Sequence, residues 1–590
     1  MLPKGHPRDS HWAVREQRIR WVARIWAEVA IVVWLLTQAA VPSPVRGEGD
    51  YWERVASLAT VAVIAIGHLI SWRWEIQGAT VMAVGGALLA LLTAFRAQMQ
   101  EAVAIEGRDE FDAQLVLVVF AVPAFLYWFI WRRGRPRRRV ITLAVLYVVL
   151  IAGTWALSIF AFNIAYGSFQ PASPVAAPPP SSVVWHWTGP PTATRTAVAA
   201  RVADPAAEVR LAVSQQPSLA NPVYYEALQR PPDDPGAVRF DVTELVPDTD
   251  YYYALEVDGS LVTARLGSLR TVPDGPTDLL LGFGACIQTG SSGVVFDRIR
   301  EAAPDLFVVT GDLAYQDFWT DSRAAVRMMY DTQLTSPAIS AMAAEVPLAY
   351  VWDDHDFGPN DADSTAASRP ASTTVYRQTV PYLDLAAGPG IQPIYQAFTL
   401  GGVRVILTDG RSERVPKSAP DDVNKSMLGA PQLRWLENEL RQAAASGQFI
   451  VLVTNVPWNG TATEGADDWA GYTTERQRIA DMIAAAGVND QLLMVAGDAH
   501  MVAIDDGTNT DFSTGQVGGF PLLQAAALDR PGSVKAGPYS QGYHAGPGQF
   551  GLVRISDAGG AINVAVEGRN YLDEVLVDYT FDVPAAALGR

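Results

Sequence analysis

A chain of 590 residues is too long for one compact core, and a composition 49% apolar excludes an intrinsically disordered protein. The net charge of −18 is unevenly placed: the first 140 residues are Arg-rich, while most of the acid lies beyond Ala200, which argues against nucleic acid as a stable partner. The one cysteine, Cys286, excludes an intramolecular disulfide.

The first part, residues 1–169, holds five apolar runs close to the length of a membrane-crossing helix: Ile25–Val41, Val55–Trp72, Ala79–Phe95, Leu115–Trp131 and Val140–Asn163. They predict an α-helical transmembrane bundle of five spans. Arg15, Arg18, Arg20 and Arg24 before the first run, and Arg132 to Arg139 between the fourth and fifth, place the N-terminus in the cytoplasm. The remainder is then extracytoplasmic, and the expected location is the cell membrane, multi-pass, with the lipid bilayer as a partner. Residues 170–182 (QPASPVAAPPPSS) read as a Pro-rich extended spacer.

Residues 183–273 change to short alternating runs separated by Pro, Gly and Asp, which predicts a small β-sandwich. Its segment Leu245–Val257 (LVPDTDYYYALEV) resembles the late-strand signature of fibronectin type III modules. His186, between Trp185 and Trp187, reads as a packed or edge histidine.

In residues 274–590, β-rich apolar runs alternate with helical stretches, and six of the runs end on polar residues. They deliver Cys286, Asp312, Asp354, Asp409, Asn455 and Asp498, the last followed closely by His500. In α/β folds, sites form where strands bring their carboxyl ends to one crevice. The densest stretch is Val351–Asp363 (VWDDHDFGPNDAD), whose acids, His355 and Asn360 read either as a solvated loop or as ligands and proton-transfer groups. Buried carboxylates are costly unless paired or metal-bound.

Four segments resemble the PhoD-like alkaline phosphatases of the calcineurin-like metallophosphoesterases: GDLAY (311–315), WDDHDFG (352–358), TDGRSER (408–414) and GDAH (497–500). The resemblance implies an α/β sandwich of two central mixed β-sheets flanked by helices, and hydrolysis of phosphomonoesters or phosphodiesters. Asp356, where the family has Glu, and the Gly-Pro inserted before Asn360 depart from the family pattern.

One site would combine Cys286, Asp312, Tyr315 and His500; a thiolate with an imidazole favours a transition metal. The resemblance implies Fe3+ there. The second site would use Asp312 as a bridge with Asp354, Asn455, Asp498 and Asn360, an oxygen-rich shell suited to Ca2+, with Mn2+, Mg2+ or Zn2+ as alternatives. Two ions about 3.5–4 Å apart clamp a phosphate and acidify a water. His355 is the donor to, or orienter of, the leaving oxygen, with Asp353 or Asp356 holding its imidazole. Arg411, and less directly Arg414, either neutralise the phosphoryl oxygens or pair with acidic loop residues.

The expected substrate is a phosphate ester: a small molecule, a phospholipid or an envelope polymer. Two rival readings are a non-enzymatic envelope binding protein and a transporter with an appended domain.

Overall fold

The computed structural model describes residues 7–40, 48–99, 122–129, 170–228 and 230–590. The chain divides into two units, Met1–Ala165 and Tyr166–Arg590.

The first unit contains helices α1 (Pro7–Ala40), α2 (Glu48–Ser71) and α3 (Glu75–Met99). Helices α2 and α3 run back on each other through glycines: a Cβ on Gly67 would lie 2.7 Å from Met82 N, and one on Gly85 would lie 2.6 Å from Ile64 Cγ1. Arg20 of α1 pairs with Glu75 of α3 at 2.5 Å, and His68 Nε2 lies 3.5 Å from Glu28 Oε1. The five-span bundle is not what the structure shows. Among the described residues, no helix is long and apolar enough to cross a membrane. In α1, charged residues recur as far as Glu28, and the opening turns of α2 carry Glu48, Asp50, Glu53 and Arg54, so the apolar runs are shorter than their helices. The runs read as fourth and fifth spans lie largely outside the described residues.

In the second unit, residues 183–270 form two antiparallel sheets. One has the order β1-β2-β5: β1 (Val183–Thr188), β2 (Thr196–Val202) and β5 (Ala237–Val242). The other contains β3 (Val209–Ser214), β4 (Val223–Glu226), β6 (Asp250–Val257), β7 (Ser260–Leu261) and β8 (Gly267–Arg270). Their facing side chains, among them Val198, Phe240, Leu211 and Leu255, share one core. Tyr251 Oη accepts a hydrogen bond from Val246 N at 2.9 Å, closing the corner into β6. His186 is packed: its Nδ1 lies 3.0 Å from Tyr253 Oη, and burial lowers its pKa to about 4. Trp185 and Trp187 leave this sandwich for the neighbouring core, donating to Asp331 Oδ1 at 2.7 Å and to Thr379 O at 2.9 Å.

That neighbouring core lies between two mixed sheets. The six-stranded sheet has the order β11-β10-β9-β19-β20-β21. Its strands β9 (Leu279–Gly284), β10 (Leu306–Val309) and β11 (Leu348–Tyr350) are parallel; β19 (Gln549–Asp557), β20 (Ile562–Asn570) and β21 (Val575–Val583) add antiparallel pairings. The seven-stranded sheet has the order β12-β13-β14-β15-β17-β16-β18. It comprises β12 (Gln396–Leu400), β13 (Val403–Leu407), β14 (Phe449–Thr454), β15 (Leu492–Ala496), β16 (Met501–Asp505), β17 (Leu522–Gln524) and β18 (Gly542–Ala545). Strands β13, β14 and β15 are parallel and buried on both faces. Val405, Val453 and Val495 point between the sheets, while Ile406, Leu452 and Met494 meet the helix Gly429–Ala445 outside. Burial on both faces is why these strands read as continuous apolar runs.

The Pro-rich stretch read as a spacer is anchored at its start. Val294 N donates to Pro171 O at 2.9 Å, and Ser173 N donates to Ser292 O at 2.6 Å.

Candidate metal centre

The parallel strands of both sheets end on one crevice. From the first sheet, β9 leads to Cys286, β10 to Asp312 and Tyr315, and β11 to Asp353, Asp354 and His355. From the second, β13 leads to Asp409 and Arg411, β14 to Asn455, and β15 to Asp498 and His500. Cys286, Asp312, Asp498 and His500 all have left-handed backbones, with φ of 58°, 50°, 66° and 54°. Such non-glycine residues carry a conformational cost that persists where the surroundings fix a side chain's aim. Glycines beside them allow close approach. A Cβ on Gly410 would lie 2.2 Å from Asn455 Oδ1, and one on Gly497 would lie 2.8 Å from Thr310 O.

Cys286 Sγ lies 3.6 Å from Asp312 Oδ2, and Tyr315 Oη lies 2.7 Å from His500 Nε2. Tyr315 also acts electrostatically on Cys286 and Asp312, which links the group of four. His500 Nδ1 sits 2.9 Å from Pro531 O, a carbonyl that can only accept. The ring proton is therefore on Nδ1, and the Nε2 lone pair faces the tyrosine and the crevice. Burial, then Lys535 and Arg530, lower the His500 pKa, which keeps that ring neutral. Burial pushes the Cys286 thiol and the Tyr315 phenol up, reinforced in both cases by Asp312. Asp312 is raised to about 7 by burial, with Asp354 and Asp498 adding to the rise and His355 opposing it. Burial thus holds this donor set in its protonated forms, and a bound cation would favour the ionised ones.

On the other flank, Asp354 is held low. Burial opposes its ionisation, but Arg411, His355 and a 2.6 Å hydrogen bond from Asp361 N outweigh it. Asp312, Asp354 and His355 offer ligand atoms within 4.8 Å of one another, as do Asp354, Asp361 and Asp467. Asn455 is fully buried; its Nδ2 donates to Asp353, while its Oδ1 has no hydrogen-bond partner. Asp353 Oδ2 is likewise buried and unpartnered. Orphaned buried oxygens beside clustered carboxylates, a thiol, a phenol and an imidazole fit a cation-binding pocket.

Several sequence-based assignments change. Asn360 is exposed, and the residue after it, Asp361, reaches Asp354 instead. Neither Asp353 nor Asp356 holds the His355 ring, because they cap the turn Asp354–Phe357 reciprocally, and Asp356 also accepts from Tyr350 Oη and Leu313 N. Asp317 holds it instead, with Oδ1 2.7 Å from His355 Nδ1. Burial alone would lower this histidine, yet Asp354, Asp317 and Asp312 raise it well above its ordinary value. Arg411 is wholly buried: it pairs with Asp353 at 2.5 Å and Asp467 at 2.8 Å and donates to Ala362 O at 3.1 Å. Arg414 is also buried, on Asp467 and Tyr472. Both guanidiniums are buried and paired with acidic residues of the protein. The exposed cation at the crevice is Lys535, whose side chain is 43% exposed and whose Nζ lies 2.8 Å from Asp498 Oδ1. Nothing in its Gly- and Pro-rich surroundings distinguishes it in sequence. His544 is exposed on the edge strand β18.

Two sheets converge on this crevice of candidate cation ligands, with a carboxylate-held histidine beside them. Residues 281–520 match the model of the PhoD-like phosphatases, and this part of the chain is similar to that family. Residues 13–139 match a domain of unknown function, DUF7670. Alkaline phosphatase D of Bacillus subtilis is 24% identical over 334 residues, 48% of this chain and 54% of that protein. An uncharacterized protein of Mycobacterium tuberculosis is 26% identical over 245 residues, 38% of this chain and 43% of its own. The chain thus spans about half the length of the curated relatives it matches. Among solved structures, one titled "Structure of PhoD" shares the fold, with a TM-score of 0.56 at 17% identity, over 69% of this chain and 92% of that one.

Proposed function

We propose that the protein hydrolyses phosphate esters, with Cys286, Asp312, Tyr315 and His500 holding a transition-metal ion, best matched by Fe3+. Asp312, Asp354, Asn455 and Asp498 would hold a harder ion such as Ca2+. The observation that carries this reading is the convergence of thiol, carboxylate, phenol and imidazole from three separate strand ends, two of them joined at 2.7 Å. When bound, the cations supply charge neutralisation for the phosphoryl group and an acidified water.

The chain's own residues do the rest. His355, fixed at Nδ1 by Asp317, presents Nε2 to the leaving oxygen and gives it a proton. Lys535 offers its partly exposed ammonium to the substrate's phosphate. Arg411 and Arg414 hold the acidic side of the crevice in shape. Phosphomonoesters and phosphodiesters both fit, including phospholipids and envelope polymers.

The test is hydrolysis of 4-nitrophenyl phosphate and of bis(4-nitrophenyl) phosphate by the purified full chain supplied with iron and calcium. Turnover of either supports the reading. Absence of both favours a binding protein with an inactive domain.

We further propose that this domain works outside the cytoplasm. Support comes from composition alone, in the acidic remainder and its single cysteine after a Pro-rich stretch, and not from the helices of the first unit. Protease added to intact cells should remove the domain, and full protection would refute the placement. The resemblance of residues 183–273 to a fibronectin type III module is supported by the Tyr251 corner.

A further inference from the structure

Gln170 belongs to the chain that leads into the β-sandwich, yet its side chain is buried in the catalytic body with only 8% of the residue exposed. The carboxamide is satisfied on every side. Nε2 donates to Leu528 O at 2.7 Å and to Asp529 Oδ1 at 2.8 Å, and Oε1 accepts from Val295 N at 2.8 Å. Gly293 makes the slot, since a Cβ there would lie 2.3 Å from Gln170 Nε2. The two residues that Gln170 grips bind the strand end carrying the thiol. Leu528 N donates to Ala285 O at 2.9 Å, and Asp529 N donates to Cys286 O at 3.2 Å. The next residue, Arg530, lies over the Tyr315 ring with its Cζ 4.1 Å from the centroid. Asp529 also accepts from Ser291 Oγ on the loop after Cys286.

We propose that Gln170 is a positioning residue for the Cys286 side of the centre. Inserted from outside the catalytic domain's own sequence, it clamps Leu528 and Asp529 against Ala285 and Cys286. The thiol is thereby kept buried in its left-handed backbone. The functional meaning of the clamp rests on Cys286 being a metal ligand; its existence as a clamp does not. A fully bonded carboxamide in a slot that excludes a methyl group is more than surface packing requires, because each lost partner would leave a buried polar atom orphaned.

Cys286 is the chain's one cysteine, so the full chain stripped of metal with EDTA reports on the clamp through its rate of reaction with a disulfide thiol reagent. Gln170→Ala and Gly293→Ala should each speed that reaction about 10-fold or more, the effect of a lost buried hydrogen bond on local opening. Val198→Ala, which thins the sandwich core instead, should leave the rate at the wild-type value. Unchanged rates in both Gln170→Ala and Gly293→Ala would overturn the clamp. So would an equal acceleration in Val198→Ala, which would mark the effect as general loosening. Should Gln170→Ala not fold, Gly293→Ala alone decides. Turnover is not read in this experiment, so its failure leaves the phosphoesterase reading standing. Wild-type protein that hydrolyses no phosphate ester would remove that reading without touching the clamp.

Discussion

The two flanks of the crevice solve one problem in opposite ways. Burying carboxylates costs several kcal/mol each unless something cancels the charge. On the Asp353–Asp467 flank the protein meets it in part with Arg411, wholly buried between the two acids, and Arg414 behind them, although burial still raises Asp353. On the Cys286–Asp312 flank no lysine or arginine pairs with Asp312 among the described residues, and thiol, phenol and carboxylate are all raised. A flank whose acids meet guanidiniums is held by the protein itself, whereas a flank of buried donors without such a partner ionises only with a bound cation. The same contrast separates two buried histidines: His355, ringed by carboxylates, is raised, while His186, without any, falls to about 4.

That comparison can be broken in four places. Cys286→Ala removes the softest donor of the Cys286–Asp312 flank and should cost on the order of 10³-fold in kcat/KM with loss of the transition metal. Full iron content in that variant would place the metal elsewhere. His355→Ala should slow alkyl phosphates about 100-fold and 4-nitrophenyl esters far less, because a good leaving group needs no proton. Equal slowing of both would reassign the imidazole to substrate binding. Arg411→Ala attacks the Asp353–Asp467 flank, and leaving Asp353 buried and unpaired should cost about 3–5 kcal/mol in a denaturant titration while the folded fraction keeps its metal. Lost turnover at unchanged stability would show that the guanidinium touches substrate after all.

The smallest effect concerns His186. Its folded pKa lies below that of a free histidine, so the unfolded chain binds the extra proton. The stability this contributes is full above about pH 6.5 and is lost as pH falls towards 4, about 3 kcal/mol in all. The stability difference between wild type and His186→Gln should therefore shrink across that window. A difference independent of pH would mean that the ring is already charged in the fold.

Strand ends were legible in the sequence because a doubly buried parallel strand is an apolar run, and its first polar residue is where the run stops. Cys286, Asp312, Asp354, Asn455, Asp498 and His500 were all found that way, or on the motifs beside them. Partners were not legible. Asp317 reaches His355 across 38 residues, and only the packed structure selects it over the adjacent Asp353 and Asp356. Sequence leaves Arg411 open between phosphate and an acidic partner, because it does not show depth, and the structure pairs it with Asp353 and Asp467. Lys535 and Gln170 are ordinary residues whose roles come from where distant loops and the chain entering the sandwich settle. The expected membrane bundle is absent among the described residues, where α1 carries charge as far as Glu28 and α2 opens on Glu48, Asp50, Glu53 and Arg54.

The most direct test of the central claim is the metal content of the purified full chain, read against phosphate-ester turnover through chelation and re-addition. The Cys286–Asp312 flank predicts a stoichiometric transition metal, loss of turnover as it is removed, and recovery when it returns. A protein that binds none, or that turns over undiminished once stripped, would contradict it.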